Sequence, residues 1–356
     1  MSKRKIILGV IAVIVLVGGI LAYPKISLYL SSRTGTTNSS TVAYYIKAPM
    51  SVEELAADLQ KQGIIDDVDA FVKVAEYKEL TKEKIALGKY NIEAGTQYRT
   101  LLNGFTLNSA GNGNGEVEVS VTFNNCRDIY QLAEKVCANI MADSTKLVNF
   151  LDEDATLEKY GFTREQMPAM FLPNTYKMYY DTDEKEFVER MAKEFKNFWT
   201  ADRMAKLMKV GLKSPSEAVT LASIVYSEQG KHADEWPVIA GLYLNRINQG
   251  IKLQSDPTFK FCWGDKLDGV QRLLNEHKNI DCAYNTYKIN GLPPGPICIP
   301  PSQTVDAVLN RDNNNYIFMM AKPDYSGRHD FSVEYSKHEA YAKVYQKWLA
   351  NELKNQ

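Results

Sequence analysis

Charge of one sign is missing from this chain. Forty-two Lys and Arg stand against 43 Asp and Glu, a formal net charge of −1, so nothing in the balance draws it to nucleic acid. Histidine is scarce, with four residues and no H-E-x-x-H. The five cysteines (Cys126, Cys137, Cys262, Cys282, Cys298) show no C-x-x-C or other metal-ligand spacing. No metal and no cofactor is therefore expected. An odd cysteine count leaves at least one thiol free within a monomer. Disulfides among Cys262, Cys282 and Cys298 are open outside the cytoplasm, and the spacing does not choose between them. No internal repeat of fixed period stands out.

Long apolar runs are also absent, with one exception. Ser2-Lys3-Arg4-Lys5 is basic, and Ile6 to Tyr23 is unbroken apolar sequence. At ~1.5 Å per residue that run reaches ~27 Å, close to the hydrocarbon thickness of a bilayer. The positive flank should stay cytoplasmic, sending the rest of the chain across the membrane. A cleaved signal would have a shorter core and an A-x-A site, which does not follow here, so the anchor is expected to be retained.

Ser31 to Thr41 is rich in Ser, Thr, Gly and Asn and reads as a flexible tether. Tyr44-Tyr45-Ile46 and Leu87 to Ile92 suggest strands. Between them Ser51 and Glu54 form a capping box for a helix through Leu59, and Phe71 to Tyr77 suggests a second helix. This β-α-α-β order resembles a LysM-type sugar-binding module; a small α+β spacer without a binding role has the same order. Thr96 to Gly104 continues as a helix, and Asn108 to Gly115 is a Gly/Asn-rich loop. Val117 to Phe123 alternates like a strand, and Ile129 to Ile140 is an amphipathic helix. Leu147 to Met208 is mostly helical, broken by an aromatic loop at Met170 to Tyr176.

The stretch the rest is organised around is Ser214 to Gly230. Ser214 starts a helix, Pro215 suits its first position and Glu217 completes a capping box. Ala218, Leu221, Ala222, Ile224 and Val225 recur at helical spacing. Glu228 lies four residues after Ile224 and seven after Leu221, which puts its carboxyl on that apolar face at the helix end. An apolar surrounding and the negative end of the helix dipole both disfavour the charged form, the dipole by ~0.3–1 kcal/mol. A Glu that keeps its proton near neutral pH is suited to general-acid work. An exposed Glu at a frayed helix end is the alternative reading.

After a further helix, Pro237 to Asn248, the chain turns polar and irregular at Leu253-Gln254-Ser255-Asp256-Pro257-Thr258. It does so again at Tyr284-Asn285-Thr286-Tyr287 and Gly291-Leu292-Pro293-Pro294-Gly295-Pro296. Such loops suit a sugar cleft, where hydroxyls need polar partners and rings need flat faces. A strand, Tyr316 to Ala321, precedes His329-Asp330-Phe331-Ser332, and a helix, Lys337 to Leu353, closes the chain.

Ala222-Ser223-Ile224-Val225, Glu228, these three loops and His329-x-Phe331-Ser332 together resemble the endolytic murein transglycosylase (MltG, YceG-like) family over about Tyr44 to Trp348. The resemblance implies an α+β chain with a transmembrane helix, a LysM-like module and a mixed α+β catalytic domain. The corresponding boundaries are a basic tip and span at 1–24, a linker at 25–43, the LysM-like region at 44–165 and the catalytic domain at 166–351. It implies cleavage of nascent peptidoglycan strands within the chain, limiting glycan length, beside peptidoglycan synthases of the same membrane. Glu228 is the expected catalytic residue. Gln254, Asp256, Asn285 and Tyr287 are expected to line the cleft, with Tyr176 and His329 as weaker cleft candidates. Tyr226 and Asn174 stand where the resemblance implies acidic residues. A hydrolysing muramidase and a non-catalytic peptidoglycan-binding protein are the alternatives.

Overall fold

Burial and chain reversal decide where the elements end in this computed structural model, which describes residues 3–106, 115–267, 270 and 276–352. The loop read at Asn108 to Gly115 lies outside the described residues except for Gly115. The chain is α+β. Its apolar run forms a longer helix than expected, α1 (Lys3–Arg33), continuous through Pro24. Side chains at 7–21 stand exposed along it, and among the described residues it is the one helix long and apolar enough to cross a membrane.

Two compact units follow. The first comprises Met1–Ser120, Asn139–Met141 and Lys177–Thr182. Here β1 (Val42–Ile46) is followed by α2 (Val52–Lys61), α3 (Val68–Tyr77), β2 (Gly88–Ile92) and α4 (Tyr98–Gly104). β1 and β2 pair antiparallel, Val42 opposite Ile92 and Ile46 opposite Gly88. Alternate residues turn inward, so Tyr44, Ile46, Tyr90 and Ile92 meet Leu55, Leu59, Phe71 and Val74 of the helices. The expected capping box of α2 is complete, Ser51 Oγ accepting from Glu54 N and Glu54 Oε2 from Ser51 N. Residues 25–43, read above as a linker, are helical to Arg33 and then pinned to this unit. Gly35 bridges Gln97, Thr36 N donates to Thr96 O and Thr37 N to Ile64 O. The small polar residues that mark a loose chain by composition here bond to neighbouring backbone.

The second unit comprises Val121–Ala138, Ala142–Tyr176 and Asp183–Gln356. The chain enters it within β3 (Glu118–Phe123), which pairs with β4 (Asn174–Tyr179). Between these strands lie α5 (Ile129–Cys137), α6 (Ser144–Asp152) and α7 (Asp154–Tyr160). After them come α8 (Glu184–Phe198), α9 (Ala201–Lys209), α10 (Pro215–Glu228), α11 (Trp236–Asn248), α12 (Asp256–Trp263) and α13 (Ser302–Leu309). The antiparallel pair β5 (Phe318–Ala321) and β6 (His329–Ser332) precedes the last helix, α14 (Tyr335–Glu352).

α10 is the axis of this unit. Every residue from Ala218 to Val225 is buried, against α11 and α13 among others, so the helix is enclosed on all sides rather than on the one face its spacing marks. Ser214 Oγ caps it by accepting from Glu217 N, but Glu217 Oε2 accepts from Lys213 N, so the box is displaced by one residue. Ser223 inside the helix donates to Thr220 O and accepts from Ile297 N, fixing the end of the Gly291–Pro296 loop. Glycine is required at 295, where a Cβ would come within 1.9 Å of Glu165 O.

Cys262 and Cys282 form a disulfide, and Cys298 is free. The bond ties the end of α12 to the segment before Tyr284. Closing a loop of 20 residues removes unfolded-state entropy worth ~3 kcal/mol in the chain-entropy account. Cys262→Ser with Cys282→Ser is expected to lower the melting temperature by several degrees. An unchanged melt, compared with wild type under non-reducing conditions, would mean that the bond constrains nothing.

Candidate active site

The carboxyl of Glu228 is set by three elements. α10 ends on it, so the residue sits at the negative end of the helix. Gln229 closes the turn: its backbone N donates to Val225 O, its Oε1 accepts from Lys231 N and His232 N, and Trp236 Nε1 donates to its carbonyl. α11 then brings Tyr243 alongside, and the turn before α12 brings Ser255. Tyr243 OH donates to Glu228 Oε1 at 2.7 Å and Ser255 Oγ donates to the same oxygen at 2.5 Å. Both donors are buried.

Burial pushes the Glu228 carboxyl above its ordinary range, and Asp256 adds to this, while the Ser255 and Tyr243 hydrogen bonds and the nearby His329 hold it down. The net direction is upward. With both donors on Oε1, an added proton belongs on Oε2. Glu228 keeps part of its surface open to a cleft of about 520 Å³, so the proton has somewhere to go.

Gln254 makes the turn possible. Its backbone has φ +51°, a left-handed conformation, and its Oε1 accepts from Arg246 Nη2 at 2.6 Å. Arg246 is buried and also donates to Lys252 O and Ile317 O, so one guanidinium joins the turn to the chain just before β5. Burial holds it below the usual arginine range. Asp256, at the first position of α12, accepts from Tyr287 OH at 2.5 Å and pairs with Lys278 Nζ at 3.5 Å. His329 opens β6, its Nδ1 2.9 Å from Glu235 Oε2 and its backbone N donating to Glu235 Oε1. Burial pushes Glu235 up, but hydrogen bonds from His329 and Gln229 outweigh it and leave the carboxyl below its ordinary range.

Of the expected site residues, Glu228, Gln254, Asp256, Tyr287 and His329 line one cleft. Asn285 and Tyr176 do not line it. Asn285 is fully buried, donating to Lys278 O and Ile280 O and accepting from Tyr287 N, so it braces the loop that presents Tyr287. Tyr176 is buried on β4, stacked on Phe123 at 5.5 Å, with its OH donating to Leu172 O. Tyr226 donates to Asn125 Oδ1, and Asn174 Oδ1 accepts from Thr175 N. Tyr243, Ser255, Arg246, Lys278 and Glu235 were not among the expected residues. Ser255 lies inside a motif singled out above; Tyr243 has no signal beyond its place in the helix read at Pro237 to Asn248. A second cleft, of about 760 Å³, is bordered by Tyr226 and Ser227 of the last turn of α10 and by Phe261.

The sequence pattern of the YceG-like family matches residues 44–344. The chain belongs to this family. Among its relatives, the endolytic murein transglycosylase of Bacillus subtilis (strain 168) is 25% identical over 322 residues, 86% of this chain and 85% of that protein. The endolytic murein transglycosylase of Streptococcus pneumoniae serotype 2 (strain D39) is 24% identical over 299 residues, 76% of this chain and 52% of that protein. The crystal structure of a yceG-like protein from Listeria monocytogenes matches with a TM-score of 0.54 at 19% identity, covering 85% of this chain and 99% of that one, a likeness of fold.

Proposed function

We propose that this protein is a membrane-anchored lytic transglycosylase that cuts peptidoglycan strands internally, between N-acetylmuramic acid and N-acetylglucosamine, and so ends strand elongation. The observation that carries the reading is the Glu228 carboxyl, raised by burial, with two donors on one oxygen, in a residue that lines the cleft. Relatives named endolytic murein transglycosylase support it.

In this mechanism Glu228 gives its proton to the glycosidic oxygen and the muramyl C1–O bond breaks. The muramyl C6 hydroxyl oxygen then closes onto C1, and its proton passes to the Glu228 carboxylate. No water is consumed, the carboxyl regains its proton, and the product end is a 1,6-anhydro sugar. Tyr243 and Ser255 stabilise the carboxylate while it is ionised. A hydrolysing glycosidase instead uses two carboxyls, ~5–5.5 Å or ~6.5–9.5 Å apart. The neighbouring carboxyl, Asp256, is occupied by Tyr287 and Lys278, which supports an orienting role. Two clefts that both border the last turn of α10 suit a substrate longer than a single sugar.

α1 would hold the chain in the cell membrane with its N-terminus cytoplasmic and both units on the outer side. The first unit, with antiparallel strands enclosing two helices, would act as a LysM-like glycan-binding module. Peptidoglycan synthases of the same membrane are the natural suppliers of the nascent strand. Mass spectrometry of glycan strands treated with the purified protein tests the reaction: new 1,6-anhydro ends support it. New reducing ends would make the protein a muramidase, and no new ends a binding protein.

A further inference from the structure

The junction between α1 and the first unit leaves no spacer. The apolar run ends at Tyr23, after ~27 Å of helix, which is close to the hydrocarbon thickness of a bilayer. One turn on, Ser27 accepts a hydrogen bond from Lys73 Nζ of α3, and Leu28 packs on the core of the unit. The folded unit therefore begins where the apolar span ends.

α3 runs antiparallel to α1. Its cap residue Asp67 donates its backbone N to Tyr98 OH, and Tyr98 N donates to Thr34 O, so the start of α3 lies within one tyrosine side chain of Thr34. Lys73 reaches Ser27 with the end of its side chain. Four residues further, at ~1.5 Å each, α3 carries Tyr77 ~6 Å back toward the end of the apolar run at Tyr23. Tyr77 is 71% exposed and Tyr23 70%, and beside them on α1 Ile26 and Leu30 are 55% and 62% exposed. Large apolar and aromatic groups left uncovered at that height have one solvent that suits them, the membrane–water interface, where tyrosine rings sit among headgroups. The charges around Tyr77 fit a layer that holds both signs. Lys25 is exposed on α1, Lys78 faces Arg99, and Glu76 and Glu79 are exposed in the same turn.

The geometry points to a first unit seated on the bilayer, with Tyr77 and the last turn of α3 immersed in the phospholipid headgroup layer beside α1. This rests on reading α1 as the membrane span. The test uses the full-length protein reconstituted in phosphatidylcholine–phosphatidylglycerol vesicles, with and without lipid brominated near the top of the acyl chain. Leu16→Trp reports the span and Tyr77→Trp the seat, each read as emission above that of the wild-type protein. Bromine is expected to quench both added signals, and a vesicle without bromine neither. Quenching of Leu16→Trp alone overturns the seat and leaves the anchor standing. Quenching of Tyr77→Trp alone overturns the spanning helix and the placement drawn from it, and quenching of neither overturns both. Because residue 77 is largely exposed, the tryptophan meets no packing obstacle to folding.

Discussion

Glu228→Gln is expected to lower turnover by ~10²- to 10⁴-fold, the usual contribution of a positioned acid, while glycan-strand binding stays within a few-fold of wild type. The amide keeps the size of the side chain and one oxygen that accepts from Tyr243 and Ser255 as Oε1 does. It loses the proton that would go to the glycosidic oxygen. The same change has a stability signature. Burial raises the folded-state value of the Glu228 carboxyl above its unfolded value, so its contribution to stability is fully present below the unfolded value. That contribution is lost as pH rises toward the folded one. The Gln variant should therefore gain melting temperature relative to wild type as pH increases. Cleavage at the wild-type rate would remove Glu228 from the reaction; a parallel pair of melting curves would show that its carboxyl does not resist ionisation.

The second large effect belongs to the two donors. Tyr243→Phe and Ser255→Ala each remove a hydrogen bond to an oxygen that becomes ionised during the reaction, and such bonds contribute ~1.5–3 kcal/mol. Turnover is expected to fall ~10- to 100-fold in each, with KM nearly unchanged, since the bonds strengthen after the proton has left. The pH profile carries the sign. Both donors hold the carboxyl down against burial, so removing either pushes it further up, and the alkaline limb of turnover should move to higher pH. Because both bonds meet on one atom, the double variant should fall short of the sum of the singles. A drop in rate with no movement of the alkaline limb would mean that the donors serve packing alone.

Periodic elements with local signals were legible in the sequence. β1, β2, α3 and the start of α2 announced themselves through alternation, helical spacing and the Ser51–Glu54 box. α10 and the placing of Glu228 at its end followed from Ser214, Pro215 and the apolar spacing. What was not legible depends on contacts distant in sequence. α12 starts at Asp256 inside a stretch that reads as a polar loop, because Pro257 fits a first turn as well as a bend. Tyr243 lies fifteen residues from Glu228, on a helix whose pattern says only that it is buried. Asn285 shows the reverse error: a polar residue in a polar loop reads as a cleft contact, yet two carbonyls and one amide use it up inside the loop. Ser31 to Thr41 reads by composition as a flexible tether, yet the residues that make a chain flexible also bond to exposed backbone, and here Gly35, Thr36 and Thr37 do so.

The enclosure of α10 on every side has a consequence for how a substrate is met. A rod clamped around its whole circumference cannot slide or roll to greet an incoming sugar, so its tip is a fixed anvil. Whatever adjustment the encounter demands falls to the pieces that hang on that tip, the Gln254 turn, the Tyr287 loop and the β5–β6 hairpin, or to the polymer itself. Differences in strand preference between such proteins should then be sought in those attachments, leaving the rod alone.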